Sequence, residues 1–234
     1  MEQSSVSTIV VLLGLVFLAV ILGFAIWQGA AKRNQGMRQF CADHGLTFQG
    51  RDNRVLSVIS PFVLGHRQRI KHAIRGMSGN YKGVHIVILD LFESGLTKSH
   101  VNQTVMCISS ASLRLPRFII VPHNISHVVN GSSWQRRVLR DNLRKLKHAQ
   151  ACVDVDMSDC PAVATEYVVR GADRGAVRRL LTPRAIVHLS NIKSLCVEGC
   201  ENRLTIWREG HIVPVDKLEE TLAEAMSICE IFAT

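Results

Sequence analysis

Residues 9–27 are nineteen uncharged, almost wholly apolar positions, and Lys32 and Arg33 follow within five or six positions of Trp27. As a helix at about 1.5 Å per residue this run is roughly 28 Å long, close to the ~30 Å hydrocarbon core of a bilayer. A cleaved signal peptide opens on positive charge and has an apolar core of about 7–15 residues. Here residues 1–8 carry Glu2 and no Lys or Arg, and the apolar run is longer than that range. Gly29, Ala30 and Ala31 are small, as a cleavage site requires, but bulky Trp27 stands just before them. The run therefore reads as a retained anchor. Trp27 sits where an interfacial aromatic belongs, and Lys32, Arg33 and Arg38 put all the nearby positive charge on its C-terminal side. The positive-inside rule then places that side in the cytoplasm. The expected organisation is a short external N-terminus (1–8), a transmembrane helix (9–28), a basic juxtamembrane helix (29–44) and a cytoplasmic domain (45–234), in a bacterial inner membrane.

Charge is unevenly spread along the rest. Residues 32–150 hold 19 Lys/Arg against 5 Asp/Glu, whereas 151–234 hold 9 against 13. The basic half is tied to the anchor. A basic residue close to an anionic leaflet gains about 1 kcal/mol, and beyond a Debye length of about 8 Å it gains little. This asymmetry suits a domain that lies on the leaflet, and equally suits an ordinary basic surface. The seven cysteines (41, 107, 152, 160, 196, 200 and 229) are odd in number and scattered, which reads as free thiols in a reducing compartment rather than a disulfide framework. Three glycosylation-type triplets begin at Asn102, Asn124 and Asn130. They bear on the protein only if the domain lies outside.

Beyond the anchor, 32–44 reads as a helix with Met37, Phe40 and Cys41 on one face and Gly45 as its stop. A short strand follows at 46–48, and 55–64 suggests a short helix around Pro61. Residues 69–76 and 84–92 form the best hairpin, with turn residues at 79–83, and the second strand is apolar on both faces, as in the middle of a sheet. Further strands are expected at 101–109 and at 117–121, the latter bracketed by Pro116 and Pro122. A helical turn is expected at 123–129 and a strongly basic helix at 133–149. Strands at 152–156 and 166–170 follow, then helices at 172–181 and 183–189. A last hairpin joins 195–198 to 203–208 through a turn at 199–202. The closing helix runs from Pro214 to about Ile231, with Leu218, Leu222, Ala225 and Cys229 as its buried stripe. Antiparallel strands interrupted by helices make this an α+β chain, a mixed and mainly antiparallel sheet with packed helices.

Several stretches resemble a loose group of bacterial single-pass membrane proteins of uncharacterised activity. They are the basic helix leading to Gly45-Leu46-Thr47-Phe48, then Gly76 with Gly79-Asn80-Tyr81-Lys82-Gly83-Val84, and Leu115 through Pro122. Tyr167 through Asp173, with Val177 and Leu180 through Pro183, and Val197-Glu198-Gly199 before Leu204 through Trp207 complete the set. The resemblance implies one N-terminal helix and one cytoplasmic α+β domain. It implies no functional residues. The basic stretch 134–148 departs from the group.

That basic stretch is the leading candidate site. Arg136, Arg137, Arg140, Arg144, Lys145 and Lys147 face a single Asp141, while Val138, Leu139, Leu143 and Leu146 approximate one apolar side. Such a helix can lie on an anionic membrane, or pack on its own sheet with solvated charges. Few aromatics are interleaved, which counts against nucleic acid. With Lys32, Arg33 and Arg38 these residues make the expected surface for lipid headgroups. His123 and His127 stand four apart but lack the Glu of an HExxH zinc motif, and read as ordinary histidines. Cys200, in the expected turn, is the thiol most open to reaction. Asp154, Asp156 and Asp159 alternate without the Gly and Glu of a calcium loop, and read as a charged sheet edge. Phosphate-loop, dinucleotide-binding and nucleophile-elbow patterns are missing, and no metal or cofactor is called for.

The expectation is a membrane-anchored interaction or scaffold domain without chemistry of its own, contacting the bilayer, its anionic headgroups and a protein partner. Two alternatives stay open. One is a membrane-bound enzyme acting on a lipid or envelope precursor, and the other is a nucleic-acid-binding module.

Overall fold

A computed structural model describes residues 2–51, 70–94, 101–123, 152–192 and 194–233. The helices expected at 55–64 and 133–149, and all but the first residue of the turn at 123–129, lie outside the described residues.

The first helix, α1 (Glu2–His44), runs unbroken for 43 residues. Its end follows from local chemistry: Gly45 adopts φ +67°, and the Leu46 N–H donates to the Cys41 carbonyl at 2.8 Å. Glycine takes that left-handed conformation without a Cβ penalty, and the bond satisfies a carbonyl the helix end leaves free. The strands are β1 (Thr47–Phe48), β2 (Ile70–Tyr81), β3 (Val84–Ser94), β4 (Val101–Ser109), β5 (Leu115–Pro122), β6 (Val153–Asp154), β7 (Tyr167–Gly171), β8 (Cys196–Glu201) and β9 (Arg203–Trp207). Four further helices are α2 (Pro161–Glu166), α3 (Arg174–Leu180), α4 (Pro183–Asn191) and α5 (Leu218–Phe232), the last entered through a 3-10 turn at Val215–Lys217.

All nine strands join one sheet in the order β1-β2-β3-β4-β9-β8-β5-β7-β6, every neighbour antiparallel. The α+β expectation holds. The β2–β3 hairpin closes more tightly than expected. Its strands extend to Tyr81 and Val84, leaving Lys82 (φ 49°) and Gly83 (φ 83°) as a two-residue turn of the kind that matches strand twist. The β8–β9 hairpin also runs further, so Cys200 is a strand residue opposite Arg203 rather than part of a turn. Strand β5 is interior, between β8 and β7, and contains both prolines expected to bracket it. Pro116 falls in the irregularity between Leu115 and Phe118, and Pro122 is the last residue, the two positions where a missing N–H disrupts least.

Strand alternation divides the sheet into two faces. The larger core lies on the first face, where Met77, Ile88, Met106, Phe118, Ile120 and Leu204 pack under α1 and the later helices. The α5 stripe is buried as expected, and its Phe232 meets Phe118 edge-on at 5.6 Å. The second face carries a smaller cluster that includes Val87, Leu89, Val105, Ile119 and Trp207, to which the described helices add no residue. Met37, Phe40 and Cys41 join the first-face core, so the end of α1 is a structural element of the folded domain. Its N-terminal part is different. Leu13, Phe17 and Trp27 are 64%, 67% and 64% exposed, and α1 is the one described helix long and apolar enough to cross a membrane.

Candidate functional site

Among the described residues, the first-face core contains one fully buried carboxylate. Asp90 lies inside the apolar run of β3 with the same pleat as Ile86 and Ile88, so its side chain points at the core and is 0% exposed. The register places Arg75 of β2 opposite it on one side and Thr104 of β4 on the other. Arg33 descends on it from α1. Its Nε and Nη2 donate to the two carboxylate oxygens at 2.7 and 2.8 Å, a bidentate pair. The Thr104 hydroxyl donates to Oδ1 at 2.8 Å, and Arg75 stands 3.6 Å from Oδ2 while donating to Asn34 of α1 at 2.6 Å. The remaining Arg33 Nη1 donates to the Val213 carbonyl at 2.8 Å, and the Val213 N–H donates to Thr104 Oγ1 at 3.0 Å. Two strands, α1 and the loop after β9 thus meet at one carboxylate. An isolated buried charge is strongly disfavoured, and each polar atom here is answered by another.

Arg33 is therefore engaged inside the protein, only 15% exposed. Lys32, one position earlier, is exposed. Arg38 is also exposed and lies over the Phe48 ring at 4.6 Å, a cation–π contact. Arg136, Arg137, Arg140, Arg144, Lys145 and Lys147 lie outside the described residues.

The acidic residues border the last strand of the sheet. Asp154 of β6 pairs with buried Arg170 at 2.9 Å, and Asp159 pairs with Arg178. The Ser158 backbone N–H donates to Asp156 and holds its carboxyl below the usual range. Charge at a terminal strand blocks edge-to-edge pairing, as the sequence suggested. A cleft of about 510 Å³ opens beside this edge, lined among others by His123, Asp154, Met157, Tyr167, Val169 and Arg174. Two of its polar groups are held by the fold: His123 Nε2 meets the Ala164 carbonyl at 3.2 Å, and the Tyr167 hydroxyl donates to the Leu189 and Ile192 carbonyls. Burial pushes the Tyr167 phenol up to about 12. His127 lies outside the described residues.

On the second face Glu198 is buried in a cross-strand row with Ile119, Thr205 and Cys107. Burial drives its carboxyl well above the usual range, against the pull of Arg117 and Arg203. All seven cysteines are free thiols. Burial raises Cys107, Cys152 and Cys196, which keeps them protonated and poor nucleophiles. Glu198 and Asp90 were both missed by sequence reasoning. Asp90 left a signal, a single acid inside Val84-His85-Ile86-Val87-Ile88-Leu89-Asp90-Leu91-Phe92, but its partner stands 57 positions away.

No family model matches the chain, and no curated protein matches it. Among solved structures it is similar to the crystal structure of the mycobacterial trehalose monomycolate transport factor A, TtfA. The two superpose with a TM-score of 0.53 at 11% sequence identity, over 88% of this chain and 93% of that one. At that identity the likeness is one of fold.

Proposed function

We propose that this chain is a membrane-anchored, non-catalytic factor whose cytoplasmic α+β domain serves as an adaptor for partners at a bacterial inner membrane. The observation that carries the reading is α1 itself. One unbroken helix has a lipid-suited, exposed N-terminal part and a C-terminal part clamped into the domain core by Arg33 and Asp90. Anchoring and folding are thereby one structural unit. The fold neighbour, named a transport factor, favours an accessory role in transport across or along the envelope over a reaction. Tethering raises the effective concentration of any partner in the same membrane, so a modest binding surface is enough. Anionic headgroups are the second partner, contacted by Lys32 and by the basic stretch from Arg136 to Lys147.

Membrane association that survives alkaline carbonate, with the domain digested in inverted vesicles and protected in spheroplasts, is the expected result for the full chain. Release by carbonate, or digestion in spheroplasts, overturns the anchor or its direction. Headgroup contact is read separately, by co-sedimentation of residues 32–234, which keep Arg33, with anionic and neutral vesicles. Salt-sensitive binding to anionic vesicles alone supports it, and no binding overturns it.

A further inference from the structure

We infer that the Arg33–Asp90 clamp stands the domain upright on the bilayer. In that pose the loop after β9 lies at the headgroups and the β2–β3 turn points away from them. This rests on the anchored reading above and adds an orientation that anchoring alone does not give.

The inference follows from the order of contacts along α1. Arg33 and Asn34 meet Asp90 and Arg75. Further along, Cys41 Sγ lies 3.7 Å from Met77 Sδ. At the end the Phe40 ring stacks on His44 at 4.1 Å, and His44 in turn lies 5.7 Å from the Tyr81 ring. From Arg33 to His44 the helix advances about 16 Å, while β2 advances about 20 Å from Arg75 to Tyr81. Helix and strand therefore run in the same sense, with their axes within roughly 40°. The helix has no break between the apolar run and this contact. A helix continuous with the membrane span thus carries the direction of the span into the sheet.

Heights follow. Trp27 marks the interface, and Arg33 lies about 9 Å further along the helix. His211, whose carbonyl accepts from the Thr104 N–H at 2.9 Å, shares the level of Arg33. Lys82 and Gly83 share the level of His44, about 25 Å along the helix from Trp27. The clamp helps keep this geometry because a bidentate pair accepts one rotation of the helix, adding to the core packing of Met37, Phe40 and Cys41.

The test uses the full chain in nanodiscs with headgroup-labelled acceptor lipid. A fluorescent amino acid is placed at position 211, which is exposed, or at position 82. Energy transfer from 211 is expected to exceed that from 82 severalfold. Asp90→Asn, checked for native circular dichroism, is expected to shrink the difference. Equal transfer from both sites in the unmutated chain overturns the upright orientation, even when flotation shows the chain firmly anchored, so the two readings fail separately. An undiminished difference in Asp90→Asn overturns the clamp as its cause. If that variant does not fold, the comparison of the two sites in the unmutated chain still decides the orientation.

Discussion

Asp90→Ala is the most searching perturbation of this fold. The carboxylate is fully buried, takes two charge-assisted bonds from Arg33 and one from Thr104, and has Arg75 beside it. Removing it leaves two guanidiniums, 15% and 14% exposed, facing each other without an anion. Breaking a buried pair in this way costs about 3–5 kcal/mol. Arg33 has some access to water, so the lower end of that range applies. With a urea m-value of about 3 kcal/mol/M, the midpoint falls by about 1 M. Arg33→Met, which strands Asp90 with Arg75 and Thr104, costs the same order. The pair Arg33→Met with Asp90→Ala leaves neither charge of the bidentate bond uncompensated, and is expected to cost less than the sum of the two single changes. The coupling across the cycle is then about 2 kcal/mol or more. The assay is urea unfolding of the full chain in mild detergent, followed by circular dichroism. A midpoint shift below about 0.3 M for Asp90→Ala, or costs that simply add in the double variant, refutes the argument.

Three other expectations follow from single contacts. In Gly199→Ala a Cβ would fall 2.1 Å from Phe118 Cε1, and Phe118 is wholly buried, so overpacking is expected to cost about 1–3 kcal/mol, read as a lowered melting temperature. Glu198 keeps its proton to higher pH in the folded chain than its ordinary value of 4.5, so its contribution to stability is full below that value and is lost as pH rises toward the folded one. The urea midpoint of Glu198→Gln relative to that of the unmutated chain should therefore rise as pH climbs above 4.5, and a flat difference counts against it. The chain has two tyrosines. In a Tyr81→Phe background the phenolate absorbance should rise only near 12, where Tyr167 ionises.

What was legible in the sequence was what depends on neighbours in the chain. The stop of α1 at Gly45, the β2–β3 hairpin and the buried stripe of α5 all follow from patterns spanning a few residues. Helix α2 was missed because Pro161 through Glu166 is too short to show a period. The prolines of β5 pointed the wrong way because their tolerance depends on a bulge against β8 that only the assembled sheet reveals. Nothing local says that the β8–β9 hairpin inserts between β4 and β5. The candidate site was illegible for the same reason. Arg33 read as one of three basic residues flanking an anchor, and only the fold brings Asp90 beneath it.

That double reading of Arg33 is physically consistent. If the apolar part of α1 spans a membrane as proposed above, Arg33 is, before the domain folds, a flanking cation of the kind that sets the direction of a span. Afterwards its charge is neutralised by Asp90 inside the domain, and Lys32 and Arg38 remain exposed on the same helix. An apolar pair in place of the clamp could hold the helix as tightly, since burying ions gains little net stability. Register is fixed at several points. Sliding α1 by one turn, about 5.4 Å, would draw Met37 out of a site where it is wholly buried and move Gly36 off Val215, which leaves no room for a Cβ there. The same slide would take Arg33 off Asp90 and leave a buried carboxylate without its bidentate partner, which is the costly outcome. The ion pair therefore adds to the register of α1 on the sheet more than to net stability.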